Sequence, residues 1–527
     1  MNAVSNYLTR LNKMNHMTMS KFTLSFWIII LLFFIIQTLI MTKLVITDES
    51  LWIDELFTQV ISNVDSFLQW WNQFGDMETS DRQLPLYYFY MFIWVKIFGY
   101  SEYALRMANW PLFLTAEIII FWTFRRNLLF VISALTISSI HALLWYYLNE
   151  ARPYILIYLG STLVTVTLIQ LYFSTRFKDT SLYSFPSAWL FSCGIILLAG
   201  GSLIGMPWAG VGIGLGTYML FKDKETGKSW LIRHRLAILI MLIALLILFV
   251  YYSWTLLQGA RASAAHETNL KTLAFSAYEL IGVSGIGAGR LELREAGTSA
   301  LSGYVPQLVF GLMVMLGVFL YSVVNIIGYL KMKDSLLILA TLLSPMLFIF
   351  LVGSIMHWRT VGRHYIPLLP SIILIISYGV STLLADHQIW KKAIALTIII
   401  MMAASAFSMK LPRHAKDDYK SAAIFTNEAL ASGHTVWWAA SKLGADYYKV
   451  PVIKYDCLQP VTEKPEGALL VSNLMKGCIE SVKFPDLIVL SKPNDFDRYG
   501  TIRAVIKRGQ FQLEKELPAF TIWRKPD

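Results

Sequence analysis

Apolar tracts long enough to cross a bilayer recur along the first 410 residues, and the first of them, Phe22 to Ile46, comes almost at once. A hydrocarbon core needs about 20 apolar residues per helical crossing, so this tract is a membrane helix. No small-residue cleavage site follows it, which argues against a removable signal peptide. Of the 527 residues, 56% are hydrophobic and only 15% are charged. Soluble domains carry about 25% charged residues. The chain is therefore expected to be a polytopic α-helical membrane protein.

The net charge of +11 does not point to nucleic acid. Its basic residues fall in short runs between apolar tracts, the pattern of cytoplasmic turns held inside by positive charge. Arg10, Lys13 and Lys21 precede the first span, and Arg125-Arg126, Arg176 with Lys178, Lys222 to Arg235, Lys331 with Lys333, and Lys391-Lys392 separate later ones. Spans are expected near 107–124, 128–147, 154–173, 187–204, 206–221, 236–257, 301–328, 335–354, 366–385 and 392–409, about 11 with the first. Leu86 to Phe98 has only about thirteen residues, so it is expected to lie in the outer interface rather than to cross. Outer loops then span 47–106 and 258–300 of a membrane domain 1–410 in the inner (plasma) membrane.

After about Ser408 the composition changes, and an extracytoplasmic soluble α/β domain is expected over 411–527. A helical pattern covers Tyr419 to Ala431, and strand-like runs cover His434 to Ala439, Ala468 to Val471, Leu487 to Leu490, Ile502 to Lys507 and Phe511 to Leu517. Cys457 and Cys478 both fall there, and a disulfide or two free thiols are the open alternatives.

Chemistry concentrates in the first outer loop. Asp48-Glu49 and Asp54-Glu55 flank Ser50-Leu51-Trp52-Ile53 just past the first span. Ser50 or Asp48 is expected to cap a helix with Trp52, Leu56 and Val60 on its apolar stripe. Neighbouring helical residues diverge by about 100°, so Asp54 and Glu55 cannot serve one proton. Asp54 is expected to face an acceptor hydroxyl, and Glu55 a cation, an amide or another helix, whereas Asp48 and Glu49 fit solvated or capping roles. Glu150 and Arg152, at the outer end of another span, are expected to face the same cavity, since intramembrane charge is costly unless wet or paired. Arg106 after Glu102 has a structural or phosphate-facing role. Arg261 lies in the 258–300 loop, and the run Ser284 to Gly289 is no nucleotide cradle, because it does not follow a strand in a βαβ unit.

Four blocks in order carry a resemblance: Ser50-Leu51-Trp52-Ile53-Asp54-Glu55, Leu84-Pro85-Leu86-Tyr87-Tyr88, Phe98 to Arg106, and Asn149-Glu150-Ala151-Arg152-Pro153-Tyr154, with an echo at Arg363-His364-Tyr365-Ile366-Pro367. They resemble the GT-C glycosyltransferases, in particular bacterial relatives of the dolichyl-phosphate-mannose protein mannosyltransferases and of the lipid A aminoarabinose transferase. The resemblance implies a GT-C fold and a polyprenyl-phosphate-linked sugar as donor. It also implies a lipid, glycan or protein acceptor and Asp54 as catalytic base on the outer face. Glu55 and Glu150 are the further catalytic candidates, and Arg152, Arg363, Tyr365 and Arg261 the candidates for the donor phosphate. Where the family often has His-Pro-Pro this chain has Gln83-Leu84-Pro85, which removes an imidazole. No organic cofactor is implied, and a divalent cation near Asp54, Glu55 or Glu150 is left open. Displacement by a single nucleophile predicts inversion. A lipid or polysaccharide transporter and a noncatalytic membrane-anchored binding protein are the alternatives.

Overall fold

The computed structural model describes residues 24–77, 79–177, 187–222, 224–258, 268–329, 332–357, 360–455, 466–473 and 484–526. Cys457 and Cys478 lie outside these residues, so the disulfide expectation does too.

Among the described residues, eight helices are long and apolar enough to span a membrane: Trp27–Val45, Glu102–Phe124, Tyr154–Phe173, Arg235–Leu257, Ser299–Gly328, Asp334–Ile355, Gly362–Ala385 and Ile389–Ser408. Leu128–Ser139 and Ala142–Leu148 form a pair bent by 56° that makes a ninth if it counts as one span. The expected count of eleven is thus lowered at Ser187–Gly201 and Gly205–Phe221, which have 15 and 17 residues. At ~1.5 Å per residue they extend roughly 22 to 26 Å, short of a ~30 Å hydrocarbon core. Gly205 explains the tight turn between them, because a Cβ there would lie 1.8 Å from the Leu198 carbonyl oxygen.

Arg235–Leu257 is apolar all round and leaves Leu239, Leu246, Ile247, Phe249 and Val250 exposed, the face that lipid covers. Tyr154–Phe177 is instead central, with Ile155, Tyr158, Leu159, Leu163 and Val166 buried. It meets Ser187–Gly201 so closely that a Cβ at Gly194 would stand 2.8 Å from the Gly160 carbonyl oxygen. Small residues allow this backbone approach, which is how membrane helices maximise van der Waals contact. Pro85–Phe98 is a 14-residue apolar helix, short as expected. It starts at Pro85 and stops at Gly99, whose φ of 80° suits a residue without Cβ.

The C-terminal domain holds a six-stranded sheet of order β2-β3-β1-β4-β6-β5. Its strands are β1 Val436–Ala439, β2 Val452–Lys454, β3 Ala468–Leu470, β4 Leu487–Ser491, β5 Gln512–Leu517 and β6 Phe520–Arg524. The first four run parallel, and β6 pairs antiparallel with β4 and β5. β1 and β4 are buried along their whole length, as central parallel strands require.

One expectation is overturned here. Ile502 to Lys507 is not a strand but part of the helix Thr501–Arg508. Ile502, Val505 and Ile506 are buried at helical spacing, and the Asp497 carboxylate accepts hydrogen bonds from Ile502 N at 2.9 Å and Arg503 N at 3.1 Å. That cap and that period outweigh the strand propensity of Ile and Val.

The sheet domain is fastened to the first loop. Leu51 N donates to Tyr448 Oη at 2.8 Å, Lys420 N donates to Ser50 Oγ at 3.1 Å, and Lys410 Nζ donates to the Val45 carbonyl at 2.8 Å. These bonds place residues 47–62, the end of the helical bundle and the sheet domain at one junction.

Candidate active site at the junction of bundle and sheet domain

Asp54 and Glu55 open the helix Ile53–Ser62. The residue preceding that helix is Trp52 rather than the expected cap Ser50 or Asp48, and Trp52 N donates to Glu55 Oε2 at 3.4 Å. Ser50 is instead occupied by Lys420 N. The inward face is Glu55, Leu56, Thr58, Gln59, Ile61 and Ser62, so of the expected stripe only Leu56 is buried. The 100° divergence therefore separates the two acids: Glu55 is fully enclosed, and the Asp54 side chain keeps 27% of its surface exposed.

Glu55 is saturated. Arg106 Nε donates to Oε1 at 2.9 Å and Nη2 to Oε2 at 2.7 Å, a two-pronged pair, and Ala151 N donates to Oε1 at 2.9 Å. The rest of the Arg106 guanidinium ties down the loop through the carbonyls of Thr47, Glu49 and Ser50. Burial alone would raise the Glu55 pKa, but Arg106, the Lys416 ammonium 3.7 Å away and the hydrogen bonds outweigh it and hold the carboxyl down at about 2. Glu55 therefore positions the loop; its lone pairs are taken.

Among the described residues Asp54 has no such partner shell. Its carboxylate lies 3.7 Å from Arg363 Nη1, and the Arg363 guanidinium sits 5.9 Å over the Tyr154 ring. Arg363 is 30% exposed at this side chain, so both groups reach the open side of the junction. Tyr365, two residues on, is wholly buried in the main apolar cluster and does not accompany Arg363 to the open side. Arg261 lies outside the described residues.

Glu150 and Arg152 part company. The Glu150 carboxylate is buried, makes no hydrogen bond among the described residues, and has Lys416 Nζ 3.9 Å away. Burial pushes its pKa up; Lys416 and Arg290 oppose this, and Glu55 and Asp54 add to it. Arg152 turns the other way, its Nη1 donating to Asp81 Oδ1 at 2.6 Å and Tyr88 Oη at 2.9 Å. Although burial opposes its charge, Tyr88 and then Asp81 raise its pKa. Arg152 thus braces the short helix Pro85–Phe98 and the turn before it, and also bonds the Asp54 carbonyl at 3.3 Å.

Two further cations complete the site: Lys416, which sequence reasoning did not select, and Arg290, one of the basic residues of the 258–300 loop that the sequence offered for a lipid-linked phosphate. Lys416 enters from the segment joining the last span to the sheet domain, between Glu55 and Glu150 and 5.3 Å over the Tyr146 ring, with Nζ also bonded to the Asn149 carbonyl. Arg290 stacks 3.8 Å over Tyr146, donates to Tyr147 Oη at 3.1 Å and pairs with Glu279 at 3.0 Å. Its side chain is 36% exposed, and the second Glu279 oxygen accepts from Gly362 N at 3.0 Å, which ties the 268–300 segment to Arg363. The only sequence signal for Lys416 was the basic run Arg413 to Lys416 beyond a span, and nothing in it indicated an inward direction.

Lys416→Met is expected to cost about 1–3 kcal/mol, because two buried carboxylates lose their countercharge and the Asn149 carbonyl its donor. Thermal unfolding in detergent measures this, and Lys416→Arg should recover much of it.

Among the described residues no three His, Cys, Asp or Glu side chains gather closely enough to hold a metal ion. Fold and site together define a multi-pass membrane protein with one partly exposed and one locked acid beneath a soluble α/β domain. No protein-family model matches the chain, and no curated protein sequence does. Two solved structures are similar to it. ArnT from Cupriavidus metallidurans in the apo state has 10% identity and a TM-score of 0.48, covering 94% of this chain and 98% of its own. ArnT from the same organism bound to undecaprenyl phosphate has 11% identity and a TM-score of 0.48, covering 96% and 99%.

Proposed function

We propose that the chain is a membrane glycosyltransferase that moves a sugar from a polyprenyl-phosphate donor to an acceptor hydroxyl at the face the sheet domain covers. The observation that carries this reading is Asp54, a half-buried carboxylate with no hydrogen-bonding shell among the described residues, beside an arginine that also reaches the open side. The four sequence blocks agree with it, since they resemble enzymes of this class. The positive-inside pattern of the loops supports an extracytoplasmic face, and this reading puts the protein in the inner (plasma) membrane.

In this mechanism the acceptor oxygen attacks the anomeric carbon while Asp54 takes its proton. The bond from that carbon to the phosphate oxygen breaks, and its electron pair leaves with the phosphate. A carboxylate cannot deprotonate an alcohol beforehand, so proton transfer accompanies attack. The phosphate gains charge as it departs, and guanidinium forks suit its oxygens. Arg363 and Arg290 take that role here, in place of Arg152, which is already committed to Asp81 and Tyr88. Glu55 and Arg106 hold Asp54 in place, and one direct displacement gives inversion.

Purified protein incubated with a panel of polyprenyl-phosphate sugars should yield a glycosylated product by mass spectrometry with at least one donor; no product from any would overturn the reading. Arg363→Ala and Arg290→Ala should each weaken donor titrations or turnover by roughly tenfold or more, the scale of one charge-assisted phosphate contact. Arg363→Lys keeps the charge but not the fork and should fall between.

A further inference from the structure

We propose that the end of the bundle remote from Asp54 carries a separate site for an anionic phospholipid, with one acyl chain in an internal cavity and its phosphate on a basic rim. The cavity, of about 210 Å³, lies among the helices Tyr154–Phe177, Ser187–Gly201, Gly205–Phe221, Lys224–Arg233 and Arg235–Leu257. Leu171, Phe191, Ile213, Leu220, Trp230 and Met241 form an apolar wall. Gly216 also lines it and leaves space that a side chain would enter, as a Cβ there would come within 3.3 Å of the Phe191 ring. Thr217 and Leu242, both exposed, stand at its edge, so a chain can enter from the lipid side.

Pure hydrocarbon does not suit this cavity completely. Thr167 is 2% exposed, yet its hydroxyl has no hydrogen-bond partner among the described residues, and neither has Gln170 Oε1. Both residues line the cavity. Buried hydroxyls and amides are nearly always hydrogen-bonded, so their partner belongs to an occupant. The ester oxygens at the head of an acyl chain supply an acceptor for the Thr167 hydroxyl.

Depth and charge identify the rest. Thr167 is thirteen residues beyond Tyr154, or roughly 20 Å along the helix at ~1.5 Å per residue. The cavity is therefore distinct from the Asp54 site. Beside it, residues 222–235 contain five Lys or Arg against Asp223 and Glu225. Lys222 is paired with Asp334 at 3.0 Å, while Lys228, Arg233 and Arg235 are exposed. Basic residues next to a cleft between membrane helices attract lipid phosphates.

The test uses the whole protein in phosphatidylcholine nanodiscs doped with phosphatidylglycerol, extracted into mild detergent, with retained lipid counted by native mass spectrometry. The wild type and Asp54→Asn should each retain one phosphatidylglycerol. Thr217→Trp plugs the mouth and keeps every cation, and it should lose that lipid; Leu242→Trp does the same from the opposite lip if the first variant does not fold. Arg233→Gln with Arg235→Gln should lower the preference over phosphatidylcholine by roughly tenfold. Retention unchanged in both tryptophan variants would overturn the site and leave only surface attraction, and equal retention of the two lipids by the wild type would overturn its preference for an anionic lipid and with it the proposal. Loss of retention with glycosyl transfer intact separates this proposal from the one concerning Asp54.

Discussion

Asp54→Asn is expected to lower sugar transfer by roughly 10²–10⁴-fold, the usual contribution of a positioned general base. The same substitution should leave thermal stability nearly unchanged. The Asp54 carboxylate is partly exposed and its nearest cation is 3.7 Å away, so little folding energy depends on its charge. Asparagine also keeps the shape at the second position of the helix Ile53–Ser62. Turnover measured with the donor identified by the product assay, alongside the unfolding midpoint, checks both halves. Retained turnover would remove Asp54 from the reaction.

Glu55→Gln should show the opposite balance, with a large loss of stability of about 3–5 kcal/mol, because it leaves the wholly buried Arg106 without its countercharge. Replacing both residues with well-packed apolar ones should restore part of that loss, as buried pairs often gain little over hydrophobic isosteres. The pH dependence follows from the depressed carboxyl. Its ordinary pKa is 4.5 and its folded value about 2, so the stability it contributes is fully present above 4.5 and is lost as pH falls from there towards 2. The unfolding midpoint of the wild type should therefore drop more steeply over that window than that of Glu55→Gln. Turnover of Glu55→Gln should fall as well, through misplacement of Asp54.

The two acids show how local pattern and tertiary setting divide the information. Adjacent positions on a helix must diverge, so the separate fates of Asp54 and Glu55 were legible before any contact was known. Which cation would meet Glu55 was not. Arg106 lies 51 residues away and Lys416 further still, and only the docking of the sheet domain brings the latter between Glu55 and Glu150.

Membrane class, the first span and the short helix Pro85–Phe98 follow from apolar length, which the bilayer tests one segment at a time. The same rule reads Ser187–Gly201 and Gly205–Phe221 less well. Their apolar composition resembles that of spans, while their ends are set by a glycine turn against a neighbouring carbonyl. In the soluble domain, Ile502 to Lys507 carries strand-forming residues, and the cap from Asp497 with burial of one helical face decides for helix.

Arg152 and Arg290 give the same lesson for charge. Both are arginines beside outer helix ends in the sequence. Asp81 and Tyr88 hold one away from the open side, whereas two tyrosine rings and Glu279 present the other towards it. By itself the sequence determined that the chain lives in a membrane, where its acids cluster and that two neighbours would point to different surroundings, because length, period and residue type are local properties. Only the tertiary structure decided which charges are locked, which are open and which enter from the far end of the chain, because an ion pair depends on distances that no local pattern encodes.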